Sequence, residues 1–356
     1  MKIFVTGGGT AGHVLPALAI ATALRQRGHD VHLVGSERGI EARLVPEAGF
    51  EQTLLPGRGI ARSVSPAALR ANAGAVVGLI RAVLAAISLV RRHRPAAVVA
   101  VGGYASVAAG VAAVLWRVPI IVHEQNAVPG AANRLLARFA ARSATSFPDT
   151  DLPRAEVVGN PVRAELFDAE HRDRPDGRAQ LLVFGGSLGA LSINRATLAA
   201  VERWHDRSDL AVHHVIGRRD WPTLDRPADT GALVYEAVEY EDDMPAQLAR
   251  ADLVVCRGGS GTLFELAATG RPAVIVPSLV TTGGQQVANA ERVAATGGAV
   301  VVRDDELDGD RLVAEVDALL ADPDRLSAMS DQVSSLATPD AADRVAALVE
   351  EHARAR

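Results

Sequence analysis

Three glycine-rich turns are the parts of this sequence best suited to hold a ligand. They span residues 7–12, 185–189 and 258–261, and each follows an apolar strand-like run and precedes a helical pattern. Glycine lets the backbone approach a ligand closely, and the start of the next helix presents N–H groups and the positive end of its dipole. The three turns therefore predict that the chain binds phosphate.

The first turn also satisfies the dinucleotide fingerprint G-x-G-x-x-G through Gly7, Gly9 and Gly12. A nicotinamide dinucleotide site needs an acidic residue at the end of the second strand, where it holds the ribose. Here a glycine and a serine end the second strand, DVHLVGS, and Glu37 lies only beyond them. The sequence therefore favours another phosphate-bearing ligand over a nicotinamide cofactor.

Two residues are candidates for a general base. His13 directly follows the last glycine of the first turn, and the pKa of a histidine suits proton transfer near neutral pH. Glu124 lies in HEQN, at the end of an apolar strand and so at the usual ligand-binding edge of a parallel sheet. The alternative for His13 is a structural role in orienting the loop backbone.

The segment GGSGTLFELAATG contains candidates for ligand contacts. Glu265 is predicted on the first turn of a helix, where its carboxylate either complements the helix dipole or accepts two neighbouring ribose hydroxyls. Ser260 and Thr262 can cap the start of the same helix. Arg163, in GNPVR, can bind a phosphate or pair with an acid.

The composition is that of a globular protein large enough for two domains. Of its 356 residues, 48% are hydrophobic and 22% are charged. The one cysteine, Cys256, excludes an intrachain disulfide and a cysteine zinc site, and it suits a reducing compartment. No signal peptide is predicted.

Charge and hydropathy are unevenly distributed along the chain. Residues 1–160 carry a net charge of +8 and the remainder −13, which indicates that the first part meets an anionic partner. Residues 71–90 are the most apolar stretch, but Arg81 lies at their middle, where a charge is costly in lipid. We expect a buried or interfacial helix there, with its apolar side chains facing either the core or a membrane surface. These side chains are Val76, Val77, Ile80, Leu84 and Ile87.

Strand-like runs alternate with helical patterns, which predicts parallel sheets built from βαβ units. The pattern begins again at Gln180, where QLLVFGGSLGALSINRATLAAV repeats the opening order of strand, glycine turn and helix. The predicted fold class is therefore α/β, with two doubly wound units joined near residues 157–168. The last helical stretch, DAADRVAALVEEHAR, can fold back on the first unit.

Seven segments in their order and spacing resemble the MurG family of bacterial N-acetylglucosaminyltransferases. They are GGGTAGHVLPALAIA, GGYAS, HEQNAVPGAANR, VVGNPVR, GGSLGA, CRGGSGTLFELAATGRPAVIVP and GGQQVANA. The resemblance covers essentially the whole chain. It implies a GT-B fold, in which two Rossmann-like domains face each other across a cleft. The N-terminal acceptor and membrane-side domain would comprise residues 1–160 and 339–356, and the C-terminal UDP-sugar domain residues 161–338.

The resemblance also implies a reaction. N-acetylglucosamine would pass, with inversion, from UDP-N-acetylglucosamine to the C4 hydroxyl of the muramoyl sugar of lipid I, giving lipid II. No metal or other cofactor is implied, and no nucleic acid is expected as a partner. The enzyme would be peripheral at the cytoplasmic face of the cell membrane, in contact with anionic inner-membrane lipid.

Residues carried over by motif would hold the donor. Glu265 would hold the ribose, and Gln285 would help to place the sugar. The other donor contacts implied are Thr10, Ala11, Gly12, Asn126, Arg163, Ser187, Ser260, Gly261, Thr262, Leu263 and Phe264.

Two segments depart from the family pattern. Glu241 stands before Asp242-Asp243-Met244 where the family often has an apolar residue near the uracil, and TTGG precedes Gln285 where charged or amide residues are common. Three rival functions remain from the sequence. They are another GT-B glycosyltransferase, a UDP-N-acetylglucosamine 2-epimerase, and a non-catalytic partner subunit that binds the UDP-sugar.

Overall fold

The computed structural model describes residues 1–37, 39–57, 66–168, 176–186, 188–280 and 282–354, with only the backbone described for residues 66–75 and Thr282. The chain divides into two compact units. The first unit comprises Met1–Val162 and Thr338–Arg356, and the second comprises Arg163–Ala337.

Each unit is built on one parallel sheet. The strands of the first unit are β1 (Lys2–Gly7), β2 (Asp30–Ser36), β3 (Glu51–Leu55), β4 (Ala97–Gly102), β5 (Ile120–Glu124), β6 (Arg142–Thr145) and β7 (Ala155–Val157). Those of the second unit are β8 (Ala179–Phe184), β9 (Leu210–Val215), β10 (Val234–Val238), β11 (Leu253–Cys256), β12 (Ala273–Ile275) and β13 (Ala299–Val301).

The strand orders within the described residues are β3-β2-β1-β4-β5-β6-β7 and β10-β9-β8-β11-β12-β13. Both sheets therefore have the doubly wound order, in which winding reverses between β1 and β4 and again between β8 and β11. Ligands of such sheets bind beyond the carboxyl ends of the strands at this reversal point. The first and second glycine turns follow β1 and β8, and the third follows β11.

The helices of the first unit are α1 (Ala11–Gln26), α2 (Glu41–Glu47), α3 (Pro66–His93), α4 (Gly103–Leu115) and α5 (Ala131–Leu136). Those of the second are α6 (Leu191–Arg203), α7 (Met244–Arg250), α8 (Ser260–Thr269), α9 (Gln285–Ala294), α10 (Gly309–Leu320) and α11 (Pro323–Ser334). The last helix, α12 (Ala341–His352), packs against α1 in the first unit. Short 3-10 helices are Ala164–Leu166, Trp221–Thr223 and Thr282–Gly284.

The first sheet is covered on both faces, which explains why its strands read as continuous apolar runs. Neighbouring residues of a strand point to opposite faces. Ile3 and Val5 accordingly belong to one buried cluster, which includes residues of α1 and α12, whereas Phe4 belongs to another, which includes residues of α3 and α4. Full burial of such side chains contributes about 1.5–3 kcal/mol each.

Helix α3 has one buried side and one exposed apolar side. Ala82, Ala86 and Val90, four residues apart, pack into the core, and Ile87 lies partly buried beside them. Four other apolar side chains are 47–61% exposed, and they are Val76, Val77, Ile80 and Leu84. The alternative that all five apolar side chains face the core is therefore wrong for these four. Only one side of the helix contacts the sheet and α4, and these four side chains lie away from that side. Among the described residues, no helix combines the length and hydropathy needed to cross a bilayer.

Candidate active site

The first glycine turn places His13 on the opening turn of α1. Thr10 adopts an extended backbone before the helix, and its carbonyl oxygen accepts the His13 and Val14 N–H groups at 3.1 Å each. The Thr10 hydroxyl lies 3.2 Å from His13 Nδ1. Gly102, at the end of β4, lies so close that a side chain there would collide with the imidazole. The turn, the helix start and the adjoining strand thus fix the ring together.

Glu41 is part of this site, although the sequence analysis did not identify it. Its side chain is 1% exposed and lies beneath the glycine turn. One carboxylate oxygen, Oε2, accepts the Gly9 N–H at 3.0 Å. The other, Oε1, accepts the Ser36 N–H at 2.8 Å and the Ser36 hydroxyl at 2.7 Å. The only signal for Glu41 in the sequence is its position. It lies five residues after the end of β2, which itself carries no acidic residue at its end.

Glu124 is buried, and its carboxylate accepts four hydrogen bonds. Oε1 accepts the backbone N–H and the side-chain amide of Asn126, both at 3.0 Å. Oε2 accepts the Gly130 N–H and the Asn133 amide, both at 2.9 Å. Glu124 therefore organises the loop after β5, which includes Asn126, and its lone pairs are already engaged.

The electrostatic environment of His13 has two opposing parts. Burial lowers the pKa of the half-buried imidazole below its usual value, while Glu124, the Gly8 backbone and Glu41 act to raise it. Burial favours the neutral ring, which can accept a proton, and the two carboxylates stabilise the ring once it is protonated. Both properties suit a general base.

His123 and Gln125, on either side of Glu124 in HEQN, have structural roles. His123 is fully buried, and burial lowers its pKa to about 4, so the ring is neutral at pH 7. Its Nε2 lies 3.3 Å from the Gly159 carbonyl oxygen and its Nδ1 lies 2.9 Å from the Gln125 amide nitrogen. This pairing indicates that Nε2 carries the proton and that Nδ1 accepts.

The second unit holds arginine–carboxylate pairs at the corresponding edge. Arg257, directly after β11, donates to Asp304 Oδ1 at 2.6 Å and to the Ser192 hydroxyl at 2.9 Å. Ser192, on the first turn of α6, also donates to Asp304 at 2.5 Å. This cluster therefore links α6, which follows the second turn, to the end of β11, where the third turn begins. Ser187, in the second turn, lies outside the described residues.

Two expectations for the third turn are wrong. The residue before α8 is Gly259, so neither Ser260 nor Thr262 occupies the capping position. Glu265 is the sixth helical residue and not in the first turn, because the helix begins as early as Ser260. The argument from the helix dipole therefore does not apply to it. Leu263 and Phe264 are buried, and the Leu263 N–H donates to the Gly259 carbonyl oxygen at 3.0 Å.

Glu265 and Arg163, both predicted donor contacts, lie together in the second unit. Arg163 Nη2 is 3.4 Å from Glu265 Oε1, and its Nη1 is 3.4 Å from the exposed Glu165. Burial raises the pKa of Glu265, while Arg163 opposes the shift. The Nε of Arg163 is buried without a hydrogen-bond partner among the described atoms. The pair thus has acceptor and donor capacity that its own contacts do not saturate.

Gln285 begins α9, beside the third turn. Asn289, on the same helix, donates to the Gly258 carbonyl oxygen at 3.2 Å, and a side chain at Gly258 would collide with the Gln286 backbone. The segment GGQQ and the turn CRGGSG are therefore brought together. Glu241, the departure noted above, accepts from the Asp243 N–H at 2.8 Å and lies 3.0 Å from His213 Nε2.

Cys256, at the end of β11, carries a buried thiol. Burial raises the pKa of Cys256 to about 12, so its thiol stays protonated. Among the described side chains, no group of three or more His, Cys, Asp and Glu is arranged to hold a metal ion.

Comparison with known protein families covers most of the chain. Residues 3–145 match the glycosyltransferase family 28 N-terminal domain, and residues 180–345 match the glycosyltransferase family 28 C-terminal domain. A protein of Alkalilimnicola ehrlichii is 42% identical over 360 residues, which cover 99% of each chain. It is named UDP-N-acetylglucosamine--N-acetylmuramyl-(pentapeptide) pyrophosphoryl-undecaprenol N-acetylglucosamine transferase.

Comparison with solved structures agrees. The crystal structure of Acinetobacter baumannii MurG matches with a TM-score of 0.77 and 27% identity, over 98% of this chain and 99% of that one. A Listeria monocytogenes structure described as a UDP-N-acetylglucosamine 2-epimerase matches with a TM-score of 0.71 at 15% identity, over 99% of this chain and 96% of that one. The second likeness shows the fold alone. The predicted GT-B fold class, with two Rossmann-like domains, is confirmed.

Proposed function

This chain belongs to glycosyltransferase family 28 and, within it, to the MurG family that its motifs resemble, and we propose that it converts lipid I to lipid II. N-acetylglucosamine passes from UDP-N-acetylglucosamine to the C4 hydroxyl of the muramoyl sugar. The observation that carries this proposal is 42% identity across 99% of both chains with a relative named for that activity. The product would supply peptidoglycan synthesis, and through it cell shape and cell division.

His13 is the base in this proposal. The acceptor hydroxyl attacks the anomeric carbon and gives its proton to the imidazole, while the bond from that carbon to the diphosphate breaks and UDP leaves. The neutral ring, flanked by Glu41 and Glu124, supports this role. Glu124 is the weaker candidate, because its oxygens already accept four hydrogen bonds. It positions Asn126 instead.

Residues of the second unit hold the donor. Glu265 accepts the ribose hydroxyls, and Arg163 and Arg257 stabilise charge on the diphosphate as UDP leaves. Gln285, next to the third turn, places the sugar. The donor contacts inferred by motif at the first turn, Thr10, Ala11 and Gly12, stay in the proposal, as do Asn126, Ser187 and residues 260–264.

The two parts of the chain would divide the substrates. Residues 1–160 and 339–356 would form the acceptor and membrane-side domain, and residues 161–338 the UDP-sugar domain. Two facts support this division. The exposed apolar side of α3 lies in the first part, and the paired arginines lie in the second.

The enzyme would bind anionic lipid at the cytoplasmic face of the membrane. Val76, Val77, Ile80 and Leu84 are exposed. Helix α4, which packs on α3, ends at exposed Leu115, and exposed Trp116 follows it. Exposed arginines follow at the end of α3. Each basic residue near an anionic surface contributes on the order of 1 kcal/mol, screened by salt.

Vesicle sedimentation tests the membrane proposal. Binding to anionic liposomes should fall with added salt and with Arg91, Arg92 and Arg94 changed to glutamate. A matched control changes three exposed arginines of the second unit to glutamate, namely Arg218, Arg303 and Arg325. Equal recovery on neutral and anionic vesicles, insensitive to the α3 changes, would refute the electrostatic contact and leave the transferase proposal intact.

The decisive assay for the function is UDP release from UDP-N-acetylglucosamine with and without a lipid I analogue. We expect release only with the analogue, together with a disaccharide product. Release without any acceptor would favour an epimerase. Transfer to other acceptors but not to lipid I would favour another glycosyltransferase. Donor binding with neither UDP release nor epimerisation of the UDP-sugar would favour a non-catalytic subunit.

A further inference from the structure

We propose that Glu41 is a positioning residue for the base, because it anchors the first glycine turn and places a fixed negative charge near the imidazole of His13. The proposal rests on the role of His13 given above. Glu41 itself would touch neither substrate.

The contacts of Glu41 tie three elements together. Its carboxylate, at the start of α2, takes one hydrogen bond from Gly9 in the turn and two from Ser36 at the end of β2. The turn that leads into α1 is thereby fixed to the neighbouring strand. The Gly9 N–H is therefore engaged by a carboxylate of the protein itself.

The surrounding backbone has left room for this side chain. A methyl group added at Gly8, Gly35 or Gly39 would collide with the Glu41 side chain. Glycine at these three positions is therefore explained by the close approach of a carboxylate. Within the first turn, Gly8 thus leaves room for a side chain of the protein itself.

Two charged groups act on His13 from the elements packed around it. They are Glu124, at the end of β5, and Glu41, at the start of α2. Both act to raise the pKa of His13 against the effect of burial. Since a base ends its step as a cation, a nearby fixed anion stabilises the product of proton transfer.

The direct test is the pKa of His13, measured by NMR on the full-length protein with labelled histidine. His13 is assigned by its loss in His13→Asn. In Glu41→Gln we expect the pKa to fall below that of the unaltered protein, because a raising contribution is removed. Glu47→Gln is the matched control, since it removes the same charge from the exposed end of the same helix. It should leave the pKa of His13 unchanged.

Kinetics provide a second readout. Glu41→Gln replaces one carboxylate oxygen, which accepts hydrogen bonds, with an amide NH₂, which donates them, so we expect the turn to shift. Displacement of a catalytic group by about 1 Å costs on the order of 10²-fold in turnover. The loss should fall on kcat more than on the KM for the donor. The acid limb of the pH profile should move to lower pH. Glu41→Asp, which keeps the charge, should lose turnover but leave the acid limb close to its original position.

A further variant guards against a folding failure. Gly39→Ala keeps the Glu41 charge but displaces the carboxylate, and it should lower the pKa of His13 in the same direction as Glu41→Gln. An unchanged pKa of His13 in folded Glu41→Gln or folded Gly39→Ala would overturn the proposal. The NMR measurement needs no substrate, so it also distinguishes this failure from a failure of the proposed transferase activity.

Discussion

The first glycine turn and the turns of the second unit have the same order of strand, turn and helix, yet their carboxylates are held differently. Glu41 and Glu124 accept from backbone N–H groups, a hydroxyl and amides, which carry no charge. Glu265 and Asp304 are each paired with an arginine. The two regions thus share a fold motif and differ in local electrostatics.

This difference suggests a division of chemistry. Among the described residues, Glu41 and Glu124 accept only from uncharged donors, and such anions stabilise a group that becomes positive, such as an imidazole that takes up a proton. Arginines at a strand edge offer planar donors to a ligand that becomes more negative, such as a departing diphosphate. Fold likeness alone, as with the epimerase at 15% identity, carries no such information.

The largest expected effect is on the first turn. His13→Ala should lower turnover by roughly 10²–10⁴-fold, because the acceptor hydroxyl loses its base. The affinity for UDP should hardly change, because donor contacts of the second unit remain. Single-turnover kinetics and calorimetry measure the two quantities separately.

A nearly normal rate in folded His13→Ala would contradict the comparison. It would move the base to Glu124 or to no single residue. Because burial lowers the pKa of His13, the unaltered enzyme should keep its activity at neutral pH and lose it at a lower pH than an unperturbed histidine would, as the imidazole becomes protonated.

The second prediction concerns the paired carboxylate of the second unit. Glu265→Ala should weaken UDP binding by about 1.5–3 kcal/mol, the value of a hydrogen bond to a charged group. In the unaltered protein, affinity for UDP should fall as the pH drops through the raised pKa of Glu265, because the protonated carboxyl is a poorer acceptor. Glu265→Gln should remove this pH dependence.

Glu165→Gln is the matched control for Glu265. It removes a carboxylate that lies at the same 3.4 Å distance from Arg163, but its side chain is exposed. Calorimetry with UDP should detect little change. An unaltered UDP affinity in Glu265→Ala would refute the ribose role.

The sequence predicted the fold class and most strands of the two sheets. DVHLVGS is β2 from its first residue to its last, because both faces of that strand are buried and the apolar run has clear ends. Five other strands were missed. Four of these, β3, β6, β7 and β10, are polar or incompletely buried, and β13 has only three residues.

The site was predictable where function depends on a motif and less so where it depends on contacts. His13 and Glu265 stand in recognisable segments. The structure places His13 on the first turn of α1, directly after the glycine turn, whereas Glu265 lies further along α8 than predicted. Glu41 and Asp304 were missed, because each acts through a partner distant in the sequence, Gly9 in one case and Arg257 in the other. Periodicity does not reveal such pairs.

The smallest expected effect is that of a change at Glu350. It tests whether a carboxylate beside α1 affects turnover only when it lies under the first glycine turn. Glu350, on α12, contacts Arg27 at 2.6 Å and His29 at 2.8 Å near the far end of α1. Hydrogen bonds from Arg27 and then His29 lower the pKa of Glu350 from 4.5 to about 2. Because the folded pKa is depressed, its contribution to stability is complete above pH 4.5 and is lost as the pH falls towards 2. Glu350→Gln should therefore lower the melting temperature at pH 7 by at most about 4 °C, since exposed pairs contribute little, and by less at pH 3.

Turnover at pH 7 should be unchanged in Glu350→Gln, in contrast to Glu41→Gln. A loss of turnover in Glu350→Gln as large as that in Glu41→Gln would show that any carboxylate beside α1 suffices, and the distinction between the buried turn and the exposed surface would fail.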